Sequence, residues 1–130
     1  MANAVAVLMV ETEPPIMMTC ADAAIPKGTI LQLTDPFTAS ATNSTNDLFG
    51  GIAAEEKISG DGKLMIAVYR RGIFKVESGV DSTVALPQVS HALNELTDLA
   101  ANDCDLGYVF GRALSTATNG EFYLLELGRS

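Results

Sequence analysis

The stretch LPQVSHALNELTDLAAN, Leu86 to Asn102, decides whether this protein is all-β or carries a helix. Val89, Ala92, Leu93, Leu96, Leu99 and Ala100 fall on one stripe of a helical wheel. Pro87 suits a first helical turn, and Asn102-Asp103 ends the run. The spacing predicts one amphipathic helix. His91, the chain's only histidine, stands on it beside Ser90 with no second histidine to share a metal or a proton, so a structural or solvent-facing role is expected.

On the C-terminal side the period changes. Leu106 to Leu114 and Phe122 to Leu127 read as strands, joined by STATNGE with its Asn119-Gly120 turn signal. On the N-terminal side stands KLMIAVYRRGIFKV, Lys63 to Val76. Leu64, Ile66 and Val68 share one face of a strand, and Met65, Ala67 and Tyr69 share the other. A strand apolar on both faces belongs in the middle of a sheet or between two layers. Ile73 to Glu77 alternates, with Phe74 and Val76 inward and Lys75 and Glu77 outward. Arg70-Arg71-Gly72 is then expected to be a hairpin loop whose third residue is left-handed, a conformation open to glycine. One glycine cannot build a nest of amides for phosphate. The two arginines would project from the tip and pair with acids of a partner chain.

Earlier segments are shorter. Ala4 to Val10 reads as a strand or an extended arm, stopped by Pro14-Pro15. Ile16 to Cys20 is a second apolar run, and IPKG a turn. Thr29 to Thr34 reads as a half-buried strand with Leu31 and Leu33 on one face. Thr38 to Asp47 is small and polar and reads as a surface loop. Phe49 to Ala54, FGGIAA, suggests close backbone packing. SGDGK, Ser59 to Lys63, reads as a turn, and no internal repeat is visible.

The chain has 130 residues, enough for one domain with a real core. With 48% apolar and 18% charged residues it is too apolar to be disordered. Sixteen acids against eight bases give a net charge of −8, which disfavours nucleic acid as a partner. No run approaches the roughly 18 residues that span a bilayer, and the apolar N-terminus lacks the basic region of a signal peptide. Asn43-Ser44-Thr45 is then a chance match to the glycosylation triplet. Cys20 and Cys104 sit in no metal spacing and are expected as free thiols.

Catalytic patterns fail one by one. In GDGK, a phosphate loop would need glycine where Lys57 stands and serine or threonine where Leu64 stands. DCDLG, Asp103 to Gly107, lacks the third acid, the glycine spacing and the distant glutamate of a calcium loop. Glu55-Glu56 and Glu11/Glu13 read as solvated faces. No serine occupies a nucleophile elbow. No catalytic residue, metal or cofactor is expected, and the chain reads as a binding protein rather than an enzyme.

The order of three segments resembles the capsid decoration (cement) proteins of tailed bacteriophages: AAIPKGTILQLTD, then FGGIAAEEKISGDGKLMIAVYRRGIFKV, then LGYVFGRALSTATNGEFYLLEL. The resemblance covers Ile25 to Asp35, Phe49 to Val76 and Leu106 to Leu127. It implies a structural protein on the outer face of a phage head, assembled in the host cytoplasm, with the major capsid protein and itself, as a trimer, for partners. Neither nucleic acid nor membrane is expected as a partner. The expected fold is mostly β: a compact single-domain barrel or sandwich with one amphipathic helix, an N-terminal arm over 1–15 and a β-rich decoration domain over 16–130. Val5, Val7 and Met9 on the arm are the expected capsid contacts, because an alternating strand can add to an exposed sheet edge. Arg70 and Arg71 are the expected oligomer contacts. A different β-rich virion or tail component, or a small oligomeric ligand-binding module, is the alternative.

Overall fold

The computed structural model describes residues 5–35, 37–42, 44, 47–91, 94–100 and 108–128. Among them there are thirteen strands and no helix. Five strands close into a barrel, here barrel 1: β2 (Ile16–Thr19), β3 (Ile30–Asp35), β4 (Thr38–Ala41), β5 (Phe49–Ala53) and β6 (Met65–Tyr69), in the order β2-β4-β3-β5-β6. A second sheet holds β7 (Gly72–Ser78), β9 (Pro87–His91), β10 (Glu95–Asp98), β11 (Val109–Ala113) and β13 (Phe122–Leu127). Its order is β7-β10-β9-β11-β13, and β13 also pairs with β7 and closes the ring as barrel 2. β1 (Val7–Val10) lies outside this ring on β7. β8 (Asp81–Ser82) and β12 (Ala117–Thr118) form a small ribbon.

The predicted helix is absent. Pro87–His91 and Glu95–Asp98 are two antiparallel strands, with Gln88 opposite Asp98 and His91 opposite Glu95. Ala92 and Leu93 lie outside the described residues. Asn94 turns the chain in the left-handed region at φ 62°, where asparagine is among the residues best tolerated. The helical stripe misleads because the strands are buried on both faces. Gln88, Val89, Ser90, Leu96 and Thr97 are all buried, so alternation disappears and tertiary packing overrides the local period. Three further expectations change. Thr38–Ala41 is a strand of barrel 1 rather than loop. Ile30 and Leu31 are both fully buried, on opposite faces of β3. Arg70-Arg71-Gly72 is no hairpin loop: β6 pairs with β2 and β5, β7 with β1, β10 and β13, so the tripeptide carries the chain from one barrel into the other.

The two barrels are copies of one design. Each takes its strands in the same order, and in each the first and third are parallel: Thr19 opposite Thr38, and Glu77 opposite Glu95. The registers then coincide pair by pair. Leu31 faces Ala41 and Gly51; Gln88 faces Asp98 and Gly111. A bulge next to these glycines leaves Gly50 unpaired in β5 and Phe110 in β11. Ala53 faces Val68 as Ala113 faces Leu125, and Met17 faces Ala67 as Lys75 faces Leu124. Even the connections match, with Ile25 bridging Lys57 where Ser82 bridges Ala117. Left-handed residues also recur at equivalent places, as Gly28 and Ala85, Phe37 and Asn94, Gly60 and Gly120.

Each barrel has its own interior. Met18, Leu31, Ala39, Ala53, Ile66 and Val68 fill barrel 1. At equivalent positions in barrel 2, Gln88 replaces Leu31 and Tyr123 replaces Ile66. The Tyr123 hydroxyl donates to Gln88 Oε1 at 2.8 Å, and Gln88 Nε2 donates to Asp98 at 2.7 Å. Two apolar side chains are thus exchanged together for a hydrogen-bonded pair, which leaves no polar atom of that pair orphaned. Burial pushes the Tyr123 hydroxyl well above the usual tyrosine range. Between the barrels, Ile30 and Ile52 from the outside of barrel 1 pack with Phe74 and Phe110. Phe49 and Phe110 meet edge to face at 5.1 Å.

Candidate interaction surface

β1 determines which side of barrel 2 is open to partners. Val7 pairs with Lys75, and Lys75 with Leu124, so these residues form one row on the outside of the sheet. Leu114 extends the row, donating its amide to the Leu124 carbonyl at 2.7 Å. One rung away, Phe122 faces Glu77. Val5, Val7, Lys75 and Phe122 line a shallow groove, with the Lys75 ammonium 5.8 Å from the Phe122 ring centroid. A second groove, lined by Val84, Ala85, Arg112, Ala113, Leu114 and Glu126, continues across the same face. Val5, Val7, Leu114, Phe122, Leu124 and Val84 are all exposed. Exposed apolar side chains gathered on one face in this way make it the candidate interaction surface among the described residues. Its charged members include Lys75 and Arg112, two of the eight basic residues in a chain of net charge −8.

Val5 and Val7, singled out in the sequence, are therefore brought together with Phe122 and Lys75. Met9 is exposed too, at the irregularity between Leu8 and Val10, and does not line the groove. Leu8 packs against the core and the Ala6 amide donates to the Gly28 carbonyl at 2.9 Å, so β1 is held by its own chain. Phe122, Leu124 and Leu114 escaped notice in the sequence. For Phe122 and Leu124 the signal was FYLLEL, whose outward face is apolar up to Glu126; Leu114 had no comparable signal.

The two arginines part company. Arg70 turns inward: its guanidinium lies 4.3 Å from the Phe49 ring centroid and donates to the Gly50 carbonyl at 3.1 Å. Burial, and after it the charge of Arg71, lowers its proton affinity. Arg71 stays exposed, 3.6 Å from Glu13. Arg70→Ala is expected to cost about 1–3 kcal/mol, from a part-buried cation–π contact and a charged hydrogen bond. Arg71→Ala is expected to change stability by less than about 0.5 kcal/mol, as for most exposed ion pairs. Urea unfolding of the two single variants checks this; equal losses would contradict the asymmetry.

The remaining polar clusters are structural. Lys57, buried to 3% exposure, is held by Asp22 at 2.9 Å and Asp61 at 2.8 Å, and Asp22 also takes the amides of Gly60 and Gly62. The GDGK stretch is thus a turn tied down by an ion triad. The Lys57 hydrogen bond holds both carboxyls below the usual aspartate range. His91 is half-buried with Nδ1 3.1 Å from Glu95. Cys20 is buried and unbridged, and burial pushes its thiol up. Cys104 and the whole of DCDLG lie outside the described residues. Among the described residues no cluster of histidine, cysteine and acids could hold a metal, and no helix is long and apolar enough to cross a membrane.

No protein-family profile and no curated protein matches the chain. Among solved structures it is similar to the N base of head fiber gp8.5 in bacteriophage phi29, at 18% identity and a TM-score of 0.58, over 94% of this chain and 97% of that one. At that identity the likeness shows a shared fold. The neighbour is itself a protein of a phage head, which agrees with the resemblance read from the sequence.

Proposed function

We propose that the protein is a structural component of a phage head: a decoration protein that binds the outside of the mature shell, with the major capsid protein as its partner and attachment rather than catalysis as its role. The observation that carries this reading is the likeness of fold to a phage head-fiber base over nearly the full length of both chains. The order of segments in the sequence supports it independently. An acidic chain suits the outer side of a shell packed with DNA. The apolar strip on barrel 2, with Lys75 and Arg112 in it, is the surface offered to the shell. The protein assembles as a homotrimer in the host cytoplasm. A second reading, the base of a projecting fibre, is favoured by the kind of protein the neighbour is; micrographs of decorated heads would separate a smooth coat from spikes.

The test is co-sedimentation with expanded heads. Wild-type protein is expected to pellet with them. The double variant Val7→Asp/Leu124→Asp is expected to bind at least ~10-fold more weakly, since charges placed in a desolvated contact cost more than about 1.4 kcal/mol. Both side chains are exposed in the isolated protein, so its circular dichroism should not change. Equal binding by the variant refutes the assigned face, and failure of the wild type to bind refutes the function.

A further inference from the structure

The duplication makes one vacancy visible. In barrel 2 the edge of β7 before its parallel partner β10 is covered by β1, with Val7 on Lys75 and Leu8 on Phe74. The equivalent residues in barrel 1 are Met17 for Lys75 and Ile16 for Phe74. They occupy the same edge of β2, before its parallel partner β4, where among the described residues the one paired position is Thr19 with Thr38. The Thr19 amide points to that side, donating to the Phe37 carbonyl at 3.0 Å. The amide and carbonyl of Met17, two residues back, point the same way, and no described strand pairs with them. Pro15 adds a carbonyl but no N–H.

Side chains repeat the pattern. Phe74 is covered by Leu8 of β1 and is buried, whereas Ile16 is exposed and Met17 beside it is too. Next to this edge stands Phe37, 57% exposed and in the left-handed region at φ 56°. The left-handed turn recurs at Asn94 in barrel 2; what is particular to barrel 1 is a bulky aromatic at that position, at a steric cost, with its ring left exposed beside the bare edge.

We propose that the edge of β2 at Ile16–Met17 is a docking slot for an extended apolar strand of a partner protein, bound antiparallel as β1 is bound on β7, with Phe37 covering its end. The occupant is a strand of another protein rather than of a second copy. Among the described residues each chain has two such slots and one such strand, so an exchange of β1 between copies fills one slot only by emptying another. Resting on the reading given above, the occupant is an extended segment of the shell protein. Main-chain hydrogen bonds supply the grip and alternate apolar side chains meet Ile16 and Phe37, as in strand addition generally.

The test uses the full chain and, as probe, a fluorescent peptide of the β1 sequence VAVLMVE (residues 5–11). Binding to wild type is expected to be saturable, to slow exchange of the Met17 amide at least tenfold, and to weaken at least tenfold in Met17→Pro, which removes the one outward N–H of the slot. Met17→Thr, which keeps it, is expected to bind as wild type does. No binding by wild type, protection confined to β7, or equal binding by Met17→Pro overturns the slot. Co-sedimentation with heads provides the second arm. Loss of decoration by Met17→Pro but not Met17→Thr assigns the slot to a shell strand, and equal decoration by all three overturns that assignment. If no version decorates heads, the proposed function fails, while the peptide result still decides the slot.

Discussion

Phe110→Ala is expected to lower the unfolding free energy by about 3–5 kcal/mol, the range for deleting a fully buried phenylalanine. Phe110 has no exposed surface and sits at the bulge of β11, edge to face with Phe49. Its ring reaches the seam where Ile30 and Ile52 of barrel 1 meet the core of barrel 2. Phe49 is also held by Arg70, whose guanidinium lies over its ring. The walls of the cavity therefore belong to two closed barrels that cannot easily collapse inward, which places the loss toward the upper end of the range. Guanidinium unfolding measures it. A loss below about 1.5 kcal/mol would mean that the seam relaxes and that the barrels are less tightly joined than their shared core implies.

Strands bounded by a glycine or proline signal were legible in the sequence. Phe122–Leu127 and the close packing of FGGIAA appear as expected, the strand read over Leu106 to Leu114 is found at Val109–Ala113, and of the two readings of Ala4 to Val10, strand or arm, the strand is found at Val7–Val10. In FGGIAA, any side chain at Gly50 or Gly51 would meet the backbone of Leu31 or Tyr69. What was hidden follows from double burial. β9 and β10 have the barrel interior on one side and the rest of the molecule on the other, so Gln88, Val89 and Ser90 are all buried and the two-residue period that distinguishes strand from helix is lost. The error at Arg70-Arg71-Gly72 has a different cause. A glycine between two strand-like runs indicates a change of direction, but local chemistry cannot tell a return to the same sheet from entry into the next.

The duplication was hidden because matching registers do not require matching residues. Across the equivalences named above, identity survives at Gly51/Gly111, Ala53/Ala113 and Gly60/Gly120, where backbone conformation or close approach restricts the side chain. Elsewhere, positions facing the same interior exchange chemistry freely, as Leu31 and Ile66 do for Gln88 and Tyr123. The candidate surface was half legible for a related reason. Val5 and Val7 declare themselves by alternation on a short apolar strand, but the residues that complete the strip come from β13 and the turn beyond β11, and only the β7–β13 register brings them there. Arg70 could not be placed from sequence, since the ring it stacks on lies twenty-one residues earlier, in β5, and only the β5–β6 pairing brings the two together.

The same equivalence predicts that exchanging glycine and alanine at one shared position will have unequal consequences in the two barrels. Gly28 and Ala85 occupy the same left-handed position, at φ 89° and 71°. In barrel 2 an alanine is accommodated, at a left-handed cost of about 1–2 kcal/mol. In barrel 1 a β-carbon at position 28 would run into the Ala6 carbonyl and lie 2.8 Å from the Val5 side chain, because β1 crosses directly over this turn. Gly28→Ala therefore adds steric overlap of about 1–3 kcal/mol to the left-handed strain and should lower stability by about 2–5 kcal/mol. The chain can relieve the overlap only by lifting β1, which breaks the bond from the Ala6 amide to the Gly28 carbonyl. Ala85→Gly removes strain but adds freedom to the unfolded chain, worth about 0.4–1 kcal/mol, so its net effect should stay within about 1 kcal/mol of zero and lean toward stabilisation. Amide exchange over Ala6 to Val10 gives the decisive readout. It should accelerate sharply in Gly28→Ala and remain unchanged in Ala85→Gly. Equal destabilisation by the two substitutions, or a protected β1 in Gly28→Ala, would show that β1 does not lie where it closes this turn, and would remove both the cover over Phe74 and the comparison that exposes the bare edge of β2.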